Sequence, residues 1–136
     1  MKLIFNSKKD PFIKWLVWMA ILTPAMAFIL LGKPPAIFVL LEITAAALVM
    51  WFWFGTYYVI TTLYVEYHSG PINGRIPISL IKKIKSESNG WHPASALSHE
   101  RIEIQYGKGK IVTLSPEDKK AFINAILYVN GEIKVE

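Results

Sequence analysis

Two long apolar stretches, separated by a short break, constrain this chain more than any other feature of the sequence. Trp15–Leu31 contains no charged residue, and Ala36–Tyr58 contains only one, Glu42. A helix needs about 20 mostly apolar residues to cross the hydrocarbon core of a bilayer. The break reads Gly-Lys-Pro-Pro at residues 32–35, which no helix passes through intact. The pattern predicts two transmembrane helices, over about residues 15–32 and 36–56, folded back as a hairpin within residues 15–58.

The charges around the hairpin predict its orientation. Four lysines precede the first span, and the connecting loop has only Lys33. Because lysine and arginine concentrate on the cytoplasmic side, we expect residues 1–14 to form a basic cytoplasmic N-terminus. Two crossings then return residues 59–136 to the cytoplasm. The sequence therefore predicts a multi-pass protein of the cell membrane with both ends inside.

A secretory signal peptide is the competing interpretation of the first apolar stretch. Lysines, an apolar run and Ala25-Met26-Ala27 match a signal peptide with its cleavage site. The apolar run continues beyond that site through Phe28–Leu31, where a mature N-terminus is normally polar. This continuation favours a retained span.

The excess of positive charge lies mainly next to the first predicted span. The net charge is +5, and residues 59–136 contribute ten lysines and arginines against eight carboxylates. Most of the excess lies in residues 1–14, next to the first span, where anionic lipid headgroups are the natural partner. A nucleic-acid partner is therefore not expected. The chain has no cysteine, which excludes disulfides and thiolate chemistry.

After the hairpin, the side chains divide between two faces with a period of two residues, which predicts antiparallel strands. Val59–His68 alternates as one strand, and Gly70-Pro71 and Asn73-Gly74 are turn sequences. Arg75–Leu80 alternates again, with Pro77 at an edge or bulge position. Ile81–Lys85 is a short strand or one turn of helix.

The last part of the chain predicts a hairpin followed by a helix. A loop over 86–90 and an irregular stretch, Trp91–Ser98, lead to strands Arg101–Tyr106 and Lys110–Leu114. Ser115 is the expected N-cap of the helix, with Pro116 at its first position and Asn130-Gly131 as its stop. The predicted fold class is a membrane α-helical hairpin plus a small α+β domain of antiparallel strands closed by one C-terminal helix.

Several segments of this domain resemble one family of bacterial proteins. They are the run from Pro93 to Gly107, which contains Ala-Leu-Ser, Arg-Ile-Glu-Ile and Tyr-Gly, then Leu114–Asp118 and Phe122-Ile123. Gly70-Pro71-Ile72 and Ile76-Pro77-Ile78 fit the same pattern. In order and spacing these segments are similar to the bacterial PH-like domain family, whose members are small membrane-anchored proteins. The resemblance covers roughly Val59 to Leu127, and Trp91-His92 and the two-span anchor depart from it.

The resemblance implies a PH-like antiparallel β-roll and a binding role. Most members of that family have no assigned activity. One member of similar size and layout protects its producer against its own bacteriocin, so self-immunity is a concrete expectation.

No enzyme motif is present in the sequence. His68, His92 and His99 lie on separate segments, whereas a zinc site needs three or four ligands in one place. Ser98, His99 and Glu100 are consecutive, so on a strand they point to opposite faces and cannot form a catalytic triad. We expect no catalytic residue, no metal and no cofactor.

Two groups of residues remain as candidate sites. Arg75, Lys82, Lys83 and Lys85 are the densest basic group of the domain, either contacting membrane headgroups or forming a solvated strand edge. Glu42 is an intramembrane carboxylate, which is a functional candidate by default. Its ordinary alternatives are snorkelling outward, pairing with Lys33, or lying protonated against the first helix.

The sequence thus predicts a membrane-anchored, non-enzymatic binding module at the cytoplasmic face. The alternative is a regulatory or structural subunit that pairs with a larger membrane protein through the hairpin. The expected partners are a bilayer with anionic headgroups, an unidentified protein such as a bacteriocin or its target, and a second copy of the chain.

Overall fold

The computed structural model describes residues 2–86 and 100–136. The strands and helices, in chain order, are β1 (Lys2–Asn6), α1 (Pro11–Leu31), α2 (Ala36–Phe54), β2 (Thr56–Thr61), β3 (Tyr64–Ser69), β4 (Ile72–Pro77), β5 (Ile81–Lys85), β6 (Ile102–Tyr106), β7 (Lys110–Leu114), α3 (Lys119–Val129) and β8 (Lys134–Val135). Most of the predicted loop over 86–90, the irregular stretch Trp91–Ser98, and with them His92 and His99, lie outside the described residues.

The two apolar stretches form the predicted pair of helices. With 21 and 19 residues, α1 and α2 are about 32 and 29 Å long, which matches a hydrocarbon core of about 30 Å. Most of their large apolar side chains are exposed, as lipid-facing helices require. Both helices are long and apolar enough to span a membrane. Pro24 lies inside α1, and the nearby Thr23 hydroxyl donates to the Met19 carbonyl at 2.7 Å.

The helical hairpin is inserted between two paired strands. The first sheet has the order β1-β2-β3-β4, and β1 pairs antiparallel with β2 from Lys2↔Thr61 to Asn6↔Tyr57. The sequence pattern did not reveal β1. Since β1 precedes α1 and β2 follows α2, both helices leave the domain at the same end of one strand pair.

The predicted single strand Val59–His68 is wrong, because the chain reverses after Thr61 and forms the β2–β3 hairpin. Ile60 and Val65 are partners across this hairpin and both are fully buried. The two-residue turn keeps these partners on one face although they are an odd number of residues apart. In one continuous strand Ile60 and Val65 would lie on opposite faces, so the prediction placed Val65 on the wrong face relative to Ile60.

Asn73-Gly74 is also not a turn, since both residues lie within β4. Gly74 faces Tyr67 across the ladder, and a Cβ atom at Gly74 would lie 2.2 Å from the Tyr67 ring. The glycine is thus required by an aromatic ring lying over the backbone. Pro77 ends β4, the edge strand of the sheet, as the sequence predicted for an edge position.

The second sheet has the order β7-β6-β5-β8, and α3 follows β7 in the chain. The predicted strand Lys110–Leu114 and the strand interpretation of Ile81–Lys85 are confirmed, and the strand predicted over Arg101–Tyr106 is present from Ile102. The predicted N-cap is wrong: Asp118 caps α3, accepting a hydrogen bond from the Ala121 amide at 2.9 Å. Ser115 is instead buried beside β1. Asn130 ends the helix as predicted.

One apolar core joins the two sheets and α3. Phe122 on α3 is fully buried and meets the rings of Phe5 and Tyr58 edge-on, at centroid distances of 5.2 and 5.9 Å. Phe5 belongs to β1, so the N-terminal strand contributes to this core. The rest of the core comes mainly from isoleucines, six in the two sheets and two in the connecting segments: Ile60, Ile76, Ile81, Ile84, Ile102 and Ile104, and Ile78 and Ile133.

Candidate functional site

The basic residues predicted as one group are divided between the two sheets. Arg75 lies on β4 in the first sheet, where its Nε is 2.9 Å from the Glu66 carboxylate. Lys82, Lys83 and Lys85 lie on β5 in the second sheet. The Arg75 side chain is 71% exposed, so this ion pair leaves it accessible from solvent.

Two of the three β5 lysines are held in ion pairs. Lys83 contacts the Glu136 carboxylate at 2.5 Å and Lys85 contacts Glu103 at 3.7 Å. The Lys83 ammonium and its hydrogen bond hold the pKa of the Glu136 carboxyl below its usual range. Lys82 is exposed, and it forms no ion pair within residues 2–86 and 100–136.

The described histidine, His68, belongs to a polar network on the outer face of the first sheet. Its ring stacks on Tyr57 at 4.6 Å, and Nδ1 lies 2.9 Å from the Asn73 side-chain oxygen. Its Nε2 is 3.9 Å from Glu66, the carboxylate that also holds Arg75. Within residues 2–86 and 100–136, no three potential ligands among His, Cys, Asp and Glu come together to hold a metal ion.

Glu42 lines a small cavity inside the helical hairpin. The cavity has a volume of about 260 Å³ and lies near the turn between α1 and α2. Glu42 is about 9 Å from the start of α2 at 1.5 Å per residue. The other lining residues are apolar: Pro24, Ala27, Phe28, Leu31, Pro34, Pro35, Phe38 and Val39. Pro24 of α1 and Glu42 of α2 therefore line the same cavity.

The anchor joins the domain without a flexible linker. Only Gly55 separates α2 from β2. Its carbonyl accepts a hydrogen bond from the Gly70 amide at 3.2 Å, in the turn between β3 and β4. Gly70 has a φ of +58°, and a Cβ atom at this position would lie 3.3 Å from Phe52 on α2. The β3–β4 turn is thereby held against the end of α2.

A buried hydrogen-bonded cluster lies beneath this junction. The Tyr58 hydroxyl accepts a hydrogen bond from the Ser115 amide at 3.1 Å and donates to the Ser7 hydroxyl at 3.3 Å. Ser7 also donates to the Ser115 carbonyl at 3.2 Å. Backbone hydrogen bonds from Lys8 to Ser115 and from Glu117 to Asn6 flank the cluster. Residues 6–8 thus close the roll by joining the first sheet to the segment before α3.

A cavity of about 570 Å³ opens where the chain passes from the domain into the helices. We call it the junction cavity. It is lined by residues of three segments: Ile4, Asn6, Ser7, Lys8 and Lys9 at the N-terminus, Phe54, Thr56 and Tyr57 at the α2–β2 connection, and Glu117 before α3. The sequence analysis did not predict this cavity. The sequence features that indicate it are the two adjacent lysines before α1 and the aromatic residues at the end of α2.

The two lysines of the junction cavity are held differently. Lys9 lies over the Trp53 ring at 5.1 Å and over the Phe54 ring at 5.4 Å. Lys8 pairs with Glu100 at 2.6 Å. The hydrogen bond and the charge of Lys8 hold the pKa of the Glu100 carboxyl below its ordinary value of 4.5. Lys9 is thus fixed by aromatic rings and Lys8 by a carboxylate.

The fold and the sequence together assign the chain to a family. A four-stranded sheet, a second sheet and a C-terminal helix around one core form the expected PH-like β-roll. The sequence profile of the bacterial PH domain family matches residues 56–130, which is more than half of the chain. The chain therefore belongs to the bacterial PH domain family, whose members are generally non-catalytic binding modules. The match begins at the first residue of β2, so β1 lies outside it.

No curated protein and no solved structure matches this chain significantly.

Proposed function

We propose that this protein is a non-enzymatic binding module held at the cytoplasmic face of the cell membrane. The observation that carries the proposal is the insertion of the helical hairpin between β1 and β2. A hairpin that spans the bilayer at this point keeps the first sheet at the membrane surface. The lysines before α1 support a cytoplasmic position for the domain.

The outer face of the first sheet and the junction cavity are the surfaces available for binding. They present Arg75, Tyr57 and His68 on the sheet, and Lys9 at the cavity. A lipid bilayer with anionic headgroups is the first partner, since basic side chains near its surface are attracted by about 1 kcal/mol each. Lys82 on β5 is a further candidate contact of the second sheet.

Self-immunity against a bacteriocin is the finer role that we propose. It is supported by the family to which the chain belongs and by the two helices that can anchor its domain in a membrane. In this role the domain would bind the bacteriocin or its membrane target. The experiment is a survival assay of sensitive cells that express the chain and receive culture supernatant of a strain that carries its gene.

The same assay separates the domain from its anchor. In a chimera, an unrelated transmembrane hairpin replaces residues 11–51, while residues 1–10 and 52–136 keep β1, β2 and the end of α2 that contacts Lys9 and Gly70 in place. We expect the chimera to protect as well as the natural chain. Loss of protection, with equal amounts of both proteins in the membrane, would contradict a function that resides in the domain.

A regulatory subunit that acts through its hairpin is the second candidate. It is favoured by the cavity in which Glu42 and Pro24 meet, since an intramembrane carboxylate beside a helix kink offers a polar contact to a partner helix. Glu42→Gln is the test of this candidate, with Thr44→Val on the same helix as the matched control. Loss of protection in Glu42→Gln alone would favour the hairpin as the functional part.

A further inference from the structure

We infer that the junction cavity binds the phosphate of an anionic phospholipid headgroup. This inference rests on the proposed function in one respect, because it requires α1 and α2 to span the bilayer. It assigns a ligand to a site that lies apart from the β4 and β5 basic residues.

The depth of the cavity in the membrane follows from the length of α2. The helix is about 29 Å long, so Phe54 at its end lies at the boundary of a hydrocarbon core of about 30 Å. The headgroup layer extends about 5–8 Å beyond that boundary on each side. Thr56 follows Phe54 by two residues, or about 7 Å at ~3.3 Å per strand residue, and Tyr57 lies one residue further, at the outer edge of this layer. The end of the cavity that Phe54 and Thr56 form therefore lies within the headgroup layer.

The aromatic rings at the end of α2 give independent support for this depth. Tryptophan favours the membrane interface, with its ring at the level of the headgroups. Lys9 lies over the rings of Trp53 and Phe54, at 5.1 and 5.4 Å. The cation–π contacts hold its ammonium at the height where lipid phosphates lie.

The chemistry of the lining suits a phosphodiester. Lys9 supplies a positive charge, Asn6 an amide, and Tyr57 a hydroxyl, while the 70% exposed Phe54 forms the apolar side toward the bilayer. A volume of about 570 Å³ is in the range of about 300–1,000 Å³ that small-molecule sites occupy. The acyl chains of a lipid held here would continue along the exposed apolar side chains of the helices.

Two carboxylates also affect the charge in and around the junction cavity. Glu117 lines it directly, and Glu100 holds the second lysine, Lys8. Glu117 repels a phosphate and is suited to accept a hydrogen bond from a hydroxyl of the headgroup. Lys9 and Glu117 should therefore act in opposite directions on the binding of an anionic lipid.

The test measures lipid retained by the full chain in detergent micelles. The probes are phosphatidylglycerol and phosphatidylcholine with the same acyl chains, in equal amounts, and retained lipid is counted by native mass spectrometry. We expect the natural chain to retain phosphatidylglycerol preferentially. Lys9→Gln should lower this preference about fivefold, which corresponds to one charge at a membrane surface. Glu117→Gln should raise it.

Two variants serve as controls for charge and for folding. Lys2→Gln removes the same charge from the far end of β1, opposite Thr61 and outside the cavity, and should change the preference less than twofold. Lys9→Arg keeps the charge and should keep the preference. Equal losses in Lys9→Gln and Lys2→Gln, or no preference in the natural chain, would overturn the inference.

A second arm separates a lipid from free phosphate. Excess inorganic phosphate is added to the natural chain with its retained phosphatidylglycerol. Retention of the lipid supports the headgroup assignment, whereas complete displacement by inorganic phosphate assigns the cavity to a soluble phosphate and overturns it. Membrane insertion of each variant is measured in parallel. Failure of the natural chain to insert into the membrane would refute the proposed topology. Loss of lipid from a variant that still inserts concerns the cavity alone.

Discussion

Replacing Tyr58 by phenylalanine should destabilise the domain by removing one hydroxyl from the buried cluster beneath the junction. This hydroxyl takes part in two hydrogen bonds, at 3.1 Å with the Ser115 amide and at 3.3 Å with Ser7. Tyr58 is fully buried, so no bulk water replaces the lost group. Each bond contributes about 0.5–1.5 kcal/mol net, which gives about 1–3 kcal/mol in total.

Amide hydrogen exchange of the full chain in nanodiscs measures this change. Because every 1.4 kcal/mol is a factor of ten, the most protected amides of β6 should exchange about 5 to 150 times faster in Tyr58→Phe. Tyr128→Phe is the matched control, since that side chain is 83% exposed on α3. Equal exchange rates in the two variants would refute the role of the cluster in closing the roll.

Three further predictions concern the strand pairs and the acid response. Phe5→Ala should lower the unfolding free energy of the domain by about 2–3 kcal/mol, because the ring packs on the core. Its control, Ile4→Ala on the exposed face of the same strand, should lower it by less than about 1 kcal/mol. Chemical denaturation measures both changes. Gly74→Ala should lower the thermal midpoint by several degrees, since its Cβ would displace the tyrosine ring that lies over it. The pKa of Glu100 is lowered, so its pairing with Lys8 contributes stability above pH 4.5. This contribution is lost as the pH falls through the lowered pKa. The thermal midpoint of Glu100→Gln should therefore depend less on pH in that range than the midpoint of the natural chain.

The hairpin was predictable because its signal is local. A run of apolar residues long enough to cross a bilayer indicates a membrane helix whatever surrounds it. The same holds for the strands from Ile102 to Leu114, where a glycine turn separates two alternating segments. In both cases the residues that decide the structure are close together in the sequence.

The N-terminal strand was not predictable, because its partner is distant. Lys2–Asn6 is short and pairs with β2 across the whole helical hairpin. The same distance explains the mistaken N-cap. Ser115 and Asp118 are both favourable capping residues, and the pairing of residues 6–8 with the Ser115 segment leaves Asp118 as the cap.

The candidate site was predicted only as a list of charges. Density along the sequence grouped Arg75 with the β5 lysines, whereas the fold puts them on different sheets and pairs Lys83 with the C-terminal Glu136. The junction cavity required three segments to meet, from residue 4 to residue 117. No window of the sequence contains that arrangement.

Site-directed cysteine labelling tests most directly whether the domain is held at the cytoplasmic face. The chain has no cysteine of its own, so single substitutions carry no background. Lys33→Cys reports the turn of the hairpin and Tyr128→Cys the exposed side of α3. With a membrane-impermeant maleimide, the account predicts labelling of Lys33→Cys in intact cells, and of Tyr128→Cys only after permeabilisation. Labelling of Tyr128→Cys in intact cells, or equal labelling of both positions, would contradict it.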